Sequence, residues 1–452
     1  MARTPSRHGL GSGPRPLHRL SRWTWLLALV IPVACSRVTS ENIALWKTTE
    51  KGPDKLHEAL ADHTVPPKLR AEAAVALVDI GRSGEVDTVL AAAPADDRAE
   101  IAKSLEPAYE VAMKSSQDPS PDKSLAYRDA LFSLRQVAPP DDQKRIDAAL
   151  LPALEAELEA GKVRQGEHSL DKMLTAIGPG SADMLVRVLG TPDAPYVQAA
   201  ELLGKVGEEG ARDRGAAALV ARAPKIKAQA KDKEHPDLFP KALGALGGPT
   251  AVKYLETEVT GGPGKEEEAV RATRALGERR DPTVLPFALK VAADGKADKA
   301  VRDEMFGVIG TIGGLEAEKG LLSIISSDKE EIVRYRAFEV ELDARKAEGI
   351  VPALEAFPAS ASYKKVDVDD LLVKLIEKIG PPARPVLVQA LGARAPLTRM
   401  TAVMALAQIG KAPDAAALEK LASDTAPVKG FPAGDTVGKE AAQAAEIVKK
   451  RT

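Results

Sequence analysis

A helix of small residues that closes on an apolar-x-x-apolar-Gly pentapeptide recurs along this chain, and it limits the fold more than any other feature. It reads LVDIG at 77–81, LTAIG at 174–178, LGKVG at 203–207 and LGALG at 243–247. It returns as IGTIG at 309–313, IEKIG at 376–380 and LAQIG at 406–410. From Gly178 onward the closing glycines are 29, 40, 66, 67 and 30 residues apart. Halving the two long gaps gives about 33, so a degenerate unit is expected inside each. LGERRD (276–281) and VELDARKAEG (340–349) are the candidates. A period of this size with two helices per unit is a solenoid signature.

The pieces of a unit fit that reading. Ala71, Ala73, Ala74 and Ala76 beside Leu77 make a helix that neighbours can approach closely. Glycine is expected at each stop, Gly81, Gly178, Gly207, Gly247, Gly313, Gly380 and Gly410, because it takes the left-handed cap conformation freely. A second helix follows, often with proline near its start, as at Pro282, Pro286, Pro352 and Pro385. No stretch shows sustained strand-type alternation. Arg70, Arg302 and Arg399 each stand 11 residues before a closing glycine.

These residues resemble HEAT repeats, in the short bacterial variety first named from phycobilin lyases, where Val-Arg opens the first helix and Ala-Leu-Gly-x-Ile-Gly closes it. Val301-Arg302 through Gly313 matches best. Other units carry Glu167, Tyr196, Pro236 or Asp369 at the arginine position. The resemblance covers roughly residues 41–450 and is weakest over 82–165. It implies an all-α fold, an α-solenoid of stacked helical hairpins, with the arginines in a structural inter-repeat ladder with acidic residues. The weak stretch still has helical spacing at Asp97–Lys114, Ser124–Val137 and Gln143–Gly161. Asn42–Leu60 is expected to be a cap pair turning at Gly52-Pro53, and Val437–Lys450 a closing helix.

Ahead of the repeats lies a different kind of segment. Residues 1–22 hold five arginines and no acid, and an apolar run, WTWLLALVIPV, spans 23–33. Basic, then apolar, then small residues is the layout of a secretory signal, and the run falls short of the ~20 residues that cross a bilayer as a helix. Its end, Pro32-Val33-Ala34-Cys35, resembles a bacterial lipoprotein signal, with Pro32 where Leu is usual. The resemblance implies cleavage before Cys35 and acylation of that cysteine. Ser36, rather than Asp, implies the outer membrane of a bacterial cell envelope. The chain has one cysteine, so no intrachain disulfide exists, and a thioether suits an oxidising compartment better than a free thiol. Cleavage moves the net charge from −2 to −7. The expected organisation is a signal at 1–34, an anchor and N-terminal cap at 35–64, a first repeat with degenerate helices at 65–165, and the main solenoid with its closing helix at 166–452.

Candidate chemistry is sparse. His57, Glu58, Asp62 and His63 cluster, but a six-residue step would point the two histidines to different faces of one helix. His168 and His235 stand alone. Gly261–Lys265 lacks the earlier glycine of a phosphate loop and has Glu266 where Ser or Thr is needed. The basic run 222–233 has no aromatic to stack a base. Asp367, Asp369 and Asp370 lack the glycine and final glutamate of a calcium loop. Trp46 is the one tryptophan after the signal and reads as a cap-packing residue. The expectation is therefore a non-catalytic scaffold with no cofactor. It would bind a protein partner, touch the membrane only through the lipid anchor, and not bind nucleic acid. The alternative is a lyase- or chaperone-like factor cradling a ligand or client.

Overall fold

The computed structural model of the chain describes residues 37–116, 121–162, 166, 168–230, 235–358, 369–428 and 436–451. Cys35 and the segments before it lie outside the described residues, as do Glu167 and Asp367. Contacts divide the chain into two units, Met1–Ala108 and Tyr109–Thr452.

The first unit holds α1 (Ser40–Trp46), α2 (Gly52–Ala61), α3 (Pro67–Asp79) and α4 (Ser83–Ala92). The division falls inside α5 (Ala95–Ser116), just after its internal Pro107. Gly52-Pro53 is not the turn expected from the sequence. The turn is residues 47–51, and Gly52-Pro53 opens α2, where proline's missing donor costs nothing. Trp46 is buried with Ile43, Leu56 and Leu60.

The second unit begins with α6 (Pro121–Val137) and α7 (Pro140–Glu159). Helical pairs follow: α8 (Leu170–Ile177) with α9 (Ala182–Gly190), α10 (Tyr196–Val206) with α11 (Glu209–Ala230), α12 (Leu238–Leu246) with α13 (Gly248–Val259). Next come α14 (Glu266–Gly277) with α15 (Leu285–Ala292), α16 (Lys299–Ile312) with α17 (Gly314–Ser327), and α18 (Glu331–Arg345) with α19 (Ile350–Ala356). The last are α20 (Asp369–Ile379) with α21 (Ala383–Ala390), α22 (Pro396–Ile409) with α23 (Ala415–Lys420), and the closing α24 (Val437–Lys449). Each first helix from α10 to α22 packs between the first helices of its neighbours, and the second helices form the other layer. Among the described residues the only β-type pairing is one bridge, Pro427 to Thr436. The fold is an all-α solenoid of stacked hairpins. The two expected degenerate units are the pairs α14/α15 and α18/α19.

Sandwiching explains the composition of the first helices. A helix with a neighbour on each side can bury most of its circumference. In α22, Thr398, Met400, Thr401, Ala402, Val403, Ala405 and Leu406 are all buried. Small residues set how close the helices come. A Cβ on Gly244 of α12 would lie 2.5 Å from the carbonyl oxygen of Ala275 in α14, and one on Gly204 would meet the carbonyl of Ala245. This second glycine, three residues before the closing position, recurs at Gly204, Gly244, Gly277 and Gly310.

The closing glycines do not share one backbone state. Gly81 ends α3 with φ 78° and a paired capping pattern, Arg82 N–H to Leu77 O (2.8 Å) and Gly81 N–H to Val78 O (3.0 Å). Gly247 and Gly313 have φ 64° with ψ near −157°, a region open essentially to glycine alone. Gly207 and Gly410 are extended, at φ −80° and −68°, so the left-handed explanation fails there. At Gly207 the requirement is space, since a Cβ would sit 2.6 Å from Leu203 O.

The degenerate units keep a positive φ and lose the glycine. Arg280 (φ 53°) and Lys346 (φ 55°) are the non-glycine residues with positive φ among those described. Positive φ therefore falls at 247, 280, 313, 346 and 380, in steps of 33 or 34. Lys346 is exposed, with ψ −129°. Lys346→Gly is expected to raise the stability of the second unit by about 1 kcal/mol, because relieved strain exceeds glycine's added unfolded-state entropy. A urea midpoint that falls on this substitution would contradict the strain.

Candidate functional site

The repeat arginines sit between helix ends. Arg70 is buried; its Nε donates to Leu60 O at 2.8 Å, and Nη1 and Nη2 reach Asp97 at 2.8 and 3.3 Å. Arg302 Nε donates to Ala292 O and Nη1 to Glu330, both at 3.2 Å. Arg399 Nε donates to Asp424 at 2.7 Å, and its Nη1 to Ala393 O and Arg394 O. In each case the guanidinium fork satisfies carbonyls that the preceding helix end leaves open, and an acid from the following repeat neutralises it. Arg128 is likewise buried and paired in the weak stretch, where no closing glycine marked it, but its carbonyl partner comes from the segment before α8. It is 1% exposed, donates to His168 O at 3.2 Å, and pairs with Asp129 and Glu157.

His57 and His63 both line a cavity of about 670 Å³ in the first unit, with Arg70, Asp96 and Asp97. The face argument from the sequence does not apply, because α2 stops at Ala61 and His63 lies beyond it. No group of three or more His, Cys, Asp or Glu among the described residues is arranged to hold a metal. His168 comes within 3.4 Å of Ser133 Oγ through Nε2, and its Nδ1 is 3.9 Å from Asp129. That is the order of a nucleophile, base and acid, but both spacings are long for proton transfer. Asp129 is already engaged by Arg128. Ser133 lies inside α6, where backbone N–H groups are consumed by the helix and none remains to stabilise an oxyanion. The trio ties α6 to the segment before α8. His235 lies in the segment before α12, and Gly261–Lys265 is the loop before α14, where Gly264 N–H meets Glu266 at 2.8 Å. Asp369 and Asp370 open α20, and the described part of the basic run lies in α11.

The features that converge lie on one edge of the second unit, where first helices begin and second helices end. A cavity of about 460 Å³ opens there between α12 and α14, lined by Phe239, Pro240, Tyr254 and Leu255, with Lys227, Glu258 and Arg271. Another, of about 550 Å³, opens between α16 and α18, over Phe306, Val333 and Tyr335, with Arg302 and Arg336. In a chain that is 4% aromatic, four aromatics line these two openings. Tyr196, Phe239 and Tyr254 stack edge-on, with centroids 6.1 and 5.7 Å apart. Sequence reading missed this cluster, because each ring alone looks like an ordinary helix core residue.

The charges of the edge are matched. Lys227 pairs with Glu258, and Arg336 with Glu339. Arg271 lies 3.4 Å from Glu267 and 3.5 Å from Asp237. Burial pulls the Lys227 ammonium down, but Glu258 and Tyr254 beside it more than reverse this and hold its pKa above the ordinary value. Burial pushes the Tyr254 and Tyr196 hydroxyls up, so both stay neutral donors at physiological pH. The edge therefore offers apolar recesses and neutral hydrogen bonding rather than a field of one sign.

Comparison with known proteins agrees with the repeat architecture. A family model described as HEAT repeats matches residues 364–429, which include α20 to α23. That segment is thus similar to HEAT repeats. No curated protein matches its sequence. Among solved structures, a chain in the Pds5–Scc1 complex, described in relation to cohesin function, aligns at 10% identity. The alignment covers 82% of this chain and 67% of that one, with a TM-score of 0.29.

Proposed function

We propose that this HEAT-repeat chain is a non-catalytic scaffold that holds a partner protein along the edge of its second unit, and that acyl chains on Cys35 fix it to the outer membrane of a bacterial cell envelope. The observation that carries the binding role is the pair of aromatic-lined cavities on one edge, two repeats apart. Stacked helices are spaced about 10 Å, so the openings are roughly 20 Å apart, the reach of about six extended residues. A continuous protein segment fills both; a small molecule fills one. The charge balance of the edge means that shape and apolar contact select the partner, while steering by net charge contributes little. The anchor rests on the resemblance at Pro32–Cys35, and the body contributes no helix long and apolar enough to cross a membrane among the described residues.

The test is site-specific photo-crosslinking in cells. A photoreactive residue at Lys265 or Ile332, on the two openings, is expected to trap the same protein. One at Leu315, exposed at the start of α17 on the other edge, is expected to trap none. Tyr254→Ala should lower capture at Lys265 by about tenfold or more, as loss of a buried aromatic anchor does. Equal capture at Leu315 would sink the edge assignment. For the anchor, Cys35→Ala should release the protein from membranes; retention would refute it.

A further inference from the structure

The first helix of the first unit lies very close in sequence to the residue proposed to carry the acyl chains. Only Ser36 separates Cys35 from Arg37, so their α carbons stand at most about 7 Å apart. Arg37 does not lead away from the body. Its carbonyl accepts from Asn42 Nδ2 at 2.8 Å, which holds it against α1. Thr39 caps that helix by accepting from the Asn42 N–H. Ile43 and Trp46 are buried, and α1 packs against α2 and α3. The tether therefore ends on a fixed helix. Acyl chains on Cys35 would set that residue at the base of a headgroup layer about 5–8 Å deep. Two residues do not carry α1 clear of such a layer.

One turn on from Asn42 is Leu45, on the same face by the i, i+3 spacing. Leu45 is 59% exposed, and Ala44 beside it is exposed as well. A lone exposed leucine is ordinary on a protein surface. This one stands beside the point where the tether meets the helix. The charges nearby cancel. Lys47 pairs with Asp79, and Arg37, Lys51 and Lys55 stand against Glu41, Glu50 and Asp54. Net charge at this end neither attracts nor repels anionic lipid.

We infer that the exposed face of α1 is a membrane contact, with the Leu45 side chain seated in the headgroup–acyl boundary of the leaflet that holds Cys35. The inference rests on the anchor reading and adds which surface of the first unit meets the lipid. One leucine is too small to hold a protein on a bilayer by itself; the short tether keeps it at high effective concentration beside one.

The experiment uses the full chain purified from membranes, with an environment-sensitive fluorophore on Leu45→Cys or, for comparison, on Ala91→Cys, exposed on α4. Each is reconstituted into phosphatidylethanolamine–phosphatidylcholine vesicles that contain a lipid with a nitroxide high on its acyl chain. The probe at 45 is expected to shift to the blue and to be quenched at least about threefold more than the probe at 91. Adding phosphatidylglycerol should change neither signal, and a requirement for it would overturn the apolar contact. Twenty Gly/Ser residues inserted between Ser36 and Arg37 reach about 25 Å; they should leave the chain on the vesicles and remove the quenching at 45. Equal quenching with the insert would overturn the role of the tether. Intact mass separates the two readings. If Cys35 is acylated and the chain floats with the vesicles, but position 45 is quenched no more than 91, this inference falls and the anchor stands. If Cys35 carries no acyl chain, both fall.

Discussion

Gly244→Ala is expected to destabilise the second unit by about 2–3 kcal/mol, even though alanine is the better helix former by about 1 kcal/mol. The added Cβ would lie 2.5 Å from Ala275 O and 3.1 Å from the carbonyl and α carbons of the same residue. All three are backbone atoms of the neighbouring first helix, so no side-chain rotation relieves the clash. α12 and α14 must separate, and the cores on both sides of that interface loosen together. The chain supplies its own control. At the equivalent Gly277, the nearest atom to a Cβ is Cγ2 of Val308 at 3.3 Å, and the Val308 α carbon at 3.9 Å is in ordinary contact. Gly277→Ala should therefore change stability by less than about 1 kcal/mol, since a small shift of one valine suffices and helix propensity compensates. Urea unfolding of the two variants in parallel checks this. If they unfold at the same midpoint, the glycine column does not set helix spacing.

Arg128→Ala should cost more, about 3–5 kcal/mol. Removing the cation leaves the Glu157 carboxylate buried, at 6% exposure, with one oxygen already lacking a hydrogen-bond partner. It also removes the Arg128 contact from Asp129 and from the carbonyl of His168. Replacing both partners, as in Arg128→Met with Glu157→Leu, should return stability to within about 2 kcal/mol of the original, because the penalty comes from a stranded charge more than from a lost attraction. A single variant that loses less than about 1 kcal/mol would show that water reaches this pair and that the helices around it are not closely packed.

Much of the solenoid could be read from the chain because its rules are local. A helix of alanines stops at glycine, a proline opens the next, and the interval repeats. Even the degenerate pairs announced themselves as doubled gaps. What escaped were features without a local mark. Arg280 and Lys346 adopt the positive φ of their glycine counterparts, and no residue type signals that. Arg128 is as buried and as paired as Arg70 but has no closing glycine after it. The aromatic edge was invisible because Phe239, Tyr254, Phe306 and Tyr335 lie on four different helices, and only stacking places them along one side. Gly207 and Gly410 carried the right residue for a different reason, close approach in place of a left-handed turn.

The even step of the positive-φ positions from 247 to 380 has a consequence for how such a chain can change. Joining Arg280 directly to Gly314 would excise α15 and α16, one complete helix from each layer, and Arg280, left at the seam, already has the positive φ that Gly313 supplied. Duplicating the same 33 residues would do the reverse. Length can therefore vary by whole modules through a single recombination event. Duplication would carry the two recesses one repeat farther apart, whereas excision would take away α16 and with it the lining of the recess between α16 and α18.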